Sequence, residues 1–562
     1  MACANFHYTV QQKKNEPIPP RDDGKVGRPG SIEGKAAQRC LFSGEASTAG
    51  GAGFGPQLRS DSVPPHFSRR PAMALCGGVG ALALPSELIV HIFSFLSDRD
   101  KIRASSVCSR WRECLFYPAL WTELKLRVGG GTNGGGCGPE DTPRLEFLMR
   151  KFGSFVRGLQ LEFAPVDGYL SPLQTIEGRM EAVESDPRFP DRWKEAMVTY
   201  LDQVLCVLGN LRNNRNLQKL SIYGDPCLLQ DEGILESSHL SQVDQGNKKM
   251  KDIQQLFEEI LSNSRQLKWL SSGFMLGVVT PCSLAALSNP SANTLEHLSL
   301  LDSQLPSLVR TVELERLVHL RSLSLDFCDF TSDMCHLLAH ADRTPLHRLS
   351  LLLNGTALEA KPLDGTASED NWKALVRRSD NLRVYLMAVD VSSQDLLRVL
   401  KPSLPLERIH LDSYNTLVTD GTIDLISQQY HKTLNHFVLM RDDAGFPDLS
   451  VNRNEDPLVL LAWRCVHLTV LIIHGYTMWS HNLVAISRLR GSNLSVLAVS
   501  EESIDFDPDQ SMYIEGDPVH NLVKEVSLGL GRMWHPSLDA SVVLSEPTQH
   551  FHREIQRFSE GM

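Results

Sequence analysis

The cysteines and histidines are the side chains of this 562-residue sequence best suited to chemistry. Its twelve cysteines form no Cys-x-x-Cys pair and no regular framework, and its nineteen histidines are dispersed. A catalytic cysteine needs an activated thiol beside acid–base partners. Cys108 and Cys114 instead lie beside apolar positions of short predicted helices, which favours structural burial. We therefore interpret the cysteines as buried thiols of a reducing compartment.

Motifs that bind phosphates or metals in enzymes are the next chemistry to consider. Residues 50–55, Gly-Gly-Ala-Gly-Phe-Gly, superficially resemble a dinucleotide-binding loop, but they follow no strand pattern and open no helix. The sequence contains no Gly-Lys-Ser/Thr phosphate loop, no His-Glu-x-x-His and no Gly-x-Ser-x-Gly elbow. We predict a non-catalytic protein without cofactor or metal, and an enzyme with an unrecognised site stays open as an alternative.

Charge and hydropathy restrict the classes of partner. The net charge of −11 gives no general reason to expect nucleic-acid binding, which usually requires a basic surface. A local basic patch and a basic protein partner both stay open as alternatives. No apolar run approaches the roughly 20 residues that span a bilayer. The N-terminus lacks the pattern of a secretory signal. We expect a protein of the cytoplasm, the nucleus or both, with no direct contact to membrane or nucleic acid.

A cluster of short helices is predicted between Leu84 and Leu126. The sequence Leu84-Pro85-Ser86-Glu87 is typical of a helix start, with Ser86 as the expected cap. Asp98 or Asp100 should begin a second helix, and Ser109 should cap a third. The first helix carries two adjacent apolar stripes, Leu88/Ile92/Phe95/Leu96 and Ile89/Phe93. Three such helices cannot cover both stripes, so the surplus must face the rest of the chain or a partner.

A repeat occupies most of the remaining sequence. The pattern L-x-x-L-x-L, with other apolar residues allowed, recurs from Trp121 to a weak last copy at Val523/Val526/Leu528. From Leu267 to Leu494 its copies begin 24 to 36 residues apart, and 20–29 residues is the period of leucine-rich repeats. Each copy predicts a short strand whose alternate residues point inward, with a helix before the next copy. Stacked units can bury apolar edges that one unit cannot. A series of unrelated strands in an α/β domain is the alternative.

The side chains between the inward leucines should lie on the concave face of such a repeat. Several of these positions are apolar in the later copies, and an exposed apolar patch usually marks a partner site. We expect a substrate to dock on this C-terminal half, although a terminal cap or loop could cover it. The acidic stretch 501–517 is either a solvated loop or a dock for a basic substrate. The predicted substrate-binding residues are Arg408, His410, Asp412, His436, Val438, Ile472, His474 and Val496, and Leu386 and Val470 are expected to point the same way.

The segment Leu84–Leu96, followed by Val107-Cys108-Ser109-Arg110-Trp111, resembles an F-box. The Leu-Pro opening, the Ile-Phe pair and the Val-Cys before a Trp fall at the usual positions of that family. Together with the repeats, the chain resembles the F-box only proteins from about Met73 to the C-terminus. The resemblance implies an α/β fold with a short three-helix F-box followed by a leucine-rich-repeat-like solenoid.

The same resemblance implies a function. F-boxes dock on the Skp adaptor, which is bound to a cullin scaffold and its RING subunit, and the repeats hold a protein substrate. The chain would then be the substrate-recognition subunit of an SCF-type E3 ubiquitin ligase, promoting ubiquitination and proteasomal degradation. A non-catalytic F-box scaffold without ubiquitin transfer is the alternative. The implied adaptor-facing residues are Leu84, Pro85, Ile89, Ile92, Phe93, Val107 and Trp111, each of which could instead pack inside the helical segment.

The sequence thus divides into five predicted parts. Residues 1–80 have a Gly-, Pro- and Ser-rich composition that predicts disorder. The F-box follows at 81–127, a Gly-rich linker at 128–140, the leucine-rich-repeat-like domain at 141–545 and a C-terminal tail at 546–562.

Overall fold

The computed structural model describes residues 84–96, 98–129, 142–163, 189–225, 243–275, 277–301, 307–358, 361–413, 416–441, 446–450, 455–506, 517–536 and 558. The chain forms two compact units, and the boundary between them lies after Leu120. The predicted disordered segment 1–80 lies outside the described residues. So do most of the predicted linker and all of the predicted tail except Phe558.

Three helices form the described part of the first unit, as the sequence predicts: α1 (Ser86–Ser94), α2 (Asp98–Ser105) and α3 (Ser109–Cys114). Both predicted caps are wrong. Pro85 is the N-cap of α1, so Ser86 is already helical and its hydroxyl caps nothing. Cys108 caps α3, because its Sγ accepts a hydrogen bond from the Trp111 N–H at 3.4 Å.

A twelve-stranded parallel sheet is the main element of the second unit, and its strands lie side by side in the order of the sequence. One strand that sequence reasoning places partly in the F-box, Glu123–Val128, therefore belongs to this sheet. The strands are β1 (Glu123–Val128), β2 (Gly158–Phe163), β3 (Lys219–Tyr223), β4 (Trp269–Gly273), β5 (His297–Leu301), β6 (Ser322–Asp326), β7 (Arg348–Asn354), β8 (Arg383–Val389), β9 (Leu406–Ser413), β10 (His436–Arg441), β11 (Val470–His474) and β13 (Val496–Val499). A separate pair joins β12 (Met478–Trp479) to β14 (Ile504–Asp505).

At least one helix lies in each connection between neighbouring strands of the large sheet. This strand–helix alternation, with neighbours in sequence order, is the architecture of a leucine-rich-repeat-like solenoid. The helices are α4 (Thr142–Phe152), α5 (Phe189–Leu211), α6 (Lys248–Asn263), α7 (Asn289–Ala292), α8 (Thr311–Glu315), α9 (Ser332–Leu338), α10 (Gly355–Leu358), α11 (Glu369–Arg378), α12 (Ser393–Val399), α13 (Asp420–Gln429), α14 (Pro457–Arg464), α15 (Ser480–Arg490) and, after the last strand, α16 (Pro518–Leu530). No helix within the described ranges is long and apolar enough to cross a membrane.

Twelve of the thirteen repeat copies coincide with strands of the sheet. The last copy is wrong, because Val523, Val526 and Leu528 lie in α16. The buried residues of that helix are Leu522, Val526 and Leu530, four residues apart, which is the helical period rather than the alternation of a strand.

The inward row of the sheet includes Leu298, Leu323 and Leu349, which pair across β5, β6 and β7 and are fully buried. In β8 the predicted alternation is wrong by one residue. Leu351 pairs with Leu386, which is therefore inward, whereas Tyr385 and Met387 share the outward face. A shift by one residue moves each side chain to the opposite face of a strand. The pairing of β8 with β9 has an irregularity between Val384 and Tyr385. Beyond it the inward Leu386 pairs with Ile409, so the predicted alternation holds again in β9.

Candidate protein-binding surfaces

Helix α1 has one buried and one exposed apolar face. Ile89 and Phe93 are fully buried, whereas Leu88, Ile92 and Phe95 have exposed fractions of 47%, 42% and 76%. Residues spaced by three and four positions lie on the same side of a helix, so the exposed three form one stripe. We call Leu88, Ile92 and Phe95 the exposed stripe.

The buried face of α1 is fixed by contacts with α3. The rings of Phe93 and Trp111 meet edge to face, and the Cys114 thiol donates to the backbone oxygen of Ser86 at 3.8 Å. Because these contacts lie on the side of Ile89 and Phe93, they leave the exposed stripe uncovered. Val107, Phe116 and Tyr117 are further large apolar side chains of this unit that face solvent.

The seven predicted adaptor-facing residues differ in exposure. Pro85, Ile92 and Val107 are exposed, and Leu84 and Trp111 are partly buried. Ile89 and Phe93 fill the interior of the helical unit, which is the alternative that the sequence left open for each of the seven. Their part in adaptor binding stays a prediction. Leu88 and Phe95 were missed in that set, although their spacing marks them in the sequence as members of the surplus stripe.

The outward face of the large sheet carries a row of serines. Five neighbouring strands, β3 to β7, place a serine at the same register position. All five are buried, and the hydroxyls of Ser221 and Ser299 have no hydrogen-bond partner among the described residues. We call this set the serine row: Ser221, Ser271, Ser299, Ser324 and Ser350.

An apolar pocket lies beside the serine row on the same face. It contains the side chain of Phe558, which is fully buried and meets the ring of Tyr385 edge to face at 5.0 Å between centroids. Tyr385 follows the serine row in register on β8, and Met387 lies two residues further along that strand. We call the group around Phe558 the aromatic pocket: Tyr223, Phe274, Leu301, Leu352, Tyr385, Met387 and Val389.

Three arginines lie next to the aromatic pocket on neighbouring strands. Arg348 pairs in register with Arg383, and Arg408 pairs with Tyr385. The three arginines line a small cavity together with Tyr385 of the aromatic pocket and with Glu407, which forms an ion pair with Arg383 at 3.2 Å. The described residues that line this cavity therefore include three arginines and one glutamate.

The predicted substrate-binding residues lie on the outward face further along the sheet. One row of paired positions runs across four strands through Arg408, His436, Val470 and Val496. A second row runs through His410, Val438 and Ile472. Val496 is 40% exposed, but the predicted exposed patch is wrong at Val438, which is 4% exposed. His410, Asp412 and His474 are buried as well, with 3.6 Å between His410 Nε2 and Asp412 Oδ2. Substrate binding by these eight residues stays a prediction.

Buried thiols of the second unit lack the properties of a nucleophile. Burial raises the pKa of Cys335 and of Cys465 to about 12. The thiolate is the reactive form, so a raised pKa suppresses reactivity at neutral pH. No group of three or more His, Cys, Asp or Glu in the described part of the chain is arranged to hold a metal ion.

Comparison with known proteins identifies the family. The model of the F-box-like family matches residues 81–127. F-box only protein 33 of Homo sapiens is 56% identical over 514 residues, which cover 88% of this chain and 90% of that protein. The chain belongs to the F-box only protein 33 family. The protein of the same name from Mus musculus is 57% identical over 521 residues, covering 89% of this chain and 91% of that one.

A more distant relative is similar over most of its length. F-box/LRR-repeat protein 8 of Homo sapiens is 24% identical over 415 residues, which cover 71% of this chain and 90% of that protein. F-box proteins are typically receptor or adaptor subunits rather than catalysts. Membership of the family is consistent with the role of substrate receptor in an SCF-type ubiquitin ligase.

Proposed function

We propose that this F-box protein is the substrate-recognition subunit of an SCF-type E3 ubiquitin ligase. The helical unit binds the Skp adaptor, and through it the cullin scaffold and the RING subunit. The outward face of the sheet binds a protein substrate. Holding the substrate near the ubiquitin-charged conjugating enzyme raises its effective concentration there, so the contribution to ubiquitination is proximity. Proteasomal degradation of the substrate follows.

The observation that carries this proposal is the exposed stripe of α1. Three large apolar side chains, Leu88, Ile92 and Phe95, face solvent on a helix whose opposite face is already packed. Burying such side chains against a partner contributes about 25 cal/mol for each Å² of apolar surface. An amphipathic helix with a stripe of this spacing suits a helical or grooved partner surface.

The test is co-purification of the adaptor and the cullin with the full-length chain. Phe95→Glu and Leu88→Glu place a charge on the stripe without touching the packed face, so both variants should lose at least nine tenths of the adaptor. The matched control is Leu397→Glu, because Leu397 is exposed to a similar extent but lies on α12 of the other unit. Equal adaptor recovery from all of these variants would refute the assigned surface.

A second measurement distinguishes a ligase receptor from a plain scaffold. A receptor should retain the cullin and RING subunit together with the adaptor, and the purified complex should transfer ubiquitin to a co-purified protein. A scaffold would retain partners on its sheet but show no cullin and no transfer.

A further inference from the structure

Phe558 lies far from its pocket in sequence, but its side chain is fully enclosed on the outward face of the sheet. The pocket residues come from strands β3, β5, β7 and β8 and from Phe274 just after β4. This is the face on which leucine-rich-repeat-like arrays present side chains to partners. A residue of the chain's own C-terminal segment therefore occupies part of the face proposed to bind substrate.

The aromatic pocket does not depend on Phe558 for its walls. The strands that carry Leu352, Met387 and Tyr385 are hydrogen-bonded to each other along a continuous parallel ladder, from Arg348–Arg383 to Asn354–Val389. Their inward leucines are anchored in the core between sheet and helices. The pocket should thus keep its shape when Phe558 leaves, as small-molecule binding sites, which are usually largely pre-formed, do.

The neighbouring serine row differs from an ordinary protein core. Buried hydroxyls are nearly always hydrogen-bonded, yet those of Ser221 and Ser299 find no partner within the described part of the chain. Hydroxyl groups on adjacent strands can bond to the backbone groups of a peptide that crosses the sheet.

We infer that the aromatic pocket binds an aromatic side chain of a protein substrate, and that Phe558 occupies this pocket in the free chain and competes with the substrate for it. Substrate binding displaces Phe558. The three neighbouring arginines favour a substrate segment with acidic residues next to its aromatic anchor, because three arginines and a single carboxylate, Glu407, stand among the described residues that line that cavity. That the partner is a ligase substrate rests on the proposed function, whereas the competition at the pocket does not.

The first experiment uses a fluorescein-labelled peptide of residues 550–562 as the probe and the full-length chain as the receptor. By fluorescence anisotropy, the Phe558→Ala chain should bind this peptide at least tenfold more tightly than the wild-type chain, since its pocket is empty. A peptide with alanine in place of the phenylalanine at 558 should bind at least tenfold more weakly. Adding Tyr385→Ala to the Phe558→Ala chain should remove the gain, whereas adding Leu397→Ala, at an exposed position of α12, should not.

A second measurement keeps the inference testable if the Phe558→Ala chain does not fold. Photo-reactive benzoylphenylalanine at position 558 should cross-link within the chain to Met387 or Leu352. An excess of unlabelled peptide 550–562 should lower that yield by at least half. Equal peptide affinity for the wild-type and Phe558→Ala chains, or a cross-link unaffected by peptide, would overturn the inference. Neither measurement involves the adaptor, so their outcome is independent of adaptor capture, which tests the proposed function.

Discussion

The ring of Phe93 meets the indole of Trp111 edge to face, with 5.6 Å between ring centroids and 79° between ring planes. This contact joins α1 to α3, and Phe93 is fully buried in it. A cluster of three short helices has few other contacts of this size, since small domains bury a small share of their surface. The pair is therefore central to the stability of the helical unit.

Phe93→Ala should destabilise the helical unit by about 3–5 kcal/mol, through lost burial and the cavity left behind. We expect amide hydrogen exchange to accelerate in residues 86–114 while the strands of the sheet keep their protection. Phe95→Ala is the matched control, because Phe95 is 76% exposed and its truncation should change exchange little. Unchanged protection of 86–114 in the Phe93 variant would contradict this assignment.

Sequence periodicity predicts both faces of α1 but not which of them is covered. Leu88/Ile92/Phe95 and Ile89/Phe93 have the same spacing and similar residue types. The pattern alone therefore does not show which of the two faces is buried. The contact of Phe93 with Trp111 and the bond from Cys114 to Ser86 decide the matter, and both join residues distant in sequence. The caps at Pro85 and Cys108 were missed because their neighbours Ser86 and Ser109 have the better capping propensity.

The inward and outward side chains of a strand could be predicted where apolar and polar residues alternate. They were harder to predict where both faces of the strand are apolar. The run Leu351-Leu352-Leu353 of β7 is buried on both faces, and such continuous apolar runs conceal the alternation. The one-residue error in β8 has the same cause, because Val384 through Val389 are all apolar or aromatic. Phe558 carried no signal, since nothing in its local sequence indicates a distant pocket.

Gly475 should be intolerant of any side chain. It follows β11 with φ of +73°, and a Cβ there would come within 2.1 Å of the Arg441 backbone oxygen. Gly475→Ala should lower the free energy of unfolding by about 2 kcal/mol or more, measured from urea midpoints. Gly209 is the control, because it lies in α5 with nothing near its would-be Cβ. Gly209→Ala should stabilise by about 0.5–1 kcal/mol, and equal effects of the two substitutions would refute the steric argument.

The ion pair between Lys361 and Asp329 is buried, with 3.3 Å between Lys361 Nζ and Asp329 Oδ1 and side chains 7% and 4% exposed. Lys361→Met should cost about 3–5 kcal/mol, because the carboxylate of Asp329 stays buried without its countercharge. The double variant Lys361→Met/Asp329→Leu should recover most of that loss, since it removes both charges. Urea denaturation of the two variants and the wild type measures the difference. A double variant no more stable than the single one would show that the charge is not the cause.

The buried thiols make stability depend on alkaline pH. Burial raises the pKa of Cys328 to about 11 and of Cys335 and Cys465 to about 12, above the ordinary thiol value of 9.0. The folded chain therefore keeps these protons at a pH where the unfolded chain releases them, so unfolding is favoured as the pH rises above 9. Cys335 and Cys465, which are buried, should each contribute a loss of about 1.4 kcal/mol per pH unit at most, and the partly exposed Cys328 should contribute less.

Urea midpoints at pH 7.5, 9, 9.5 and 10 measure this dependence, and the tyrosines begin to add to it only at the upper end of this range. Tyr200 and Tyr430 also have a raised pKa through burial, but their unfolded forms ionise only near pH 10. The Cys335→Ala/Cys465→Ala variant should show a shallower loss of stability between pH 9 and pH 10 than the wild type. Because both chains carry the same lysines and tyrosines, the difference between their slopes isolates the two thiols. Identical slopes would mean that these thiols ionise in the folded chain as readily as in the unfolded one.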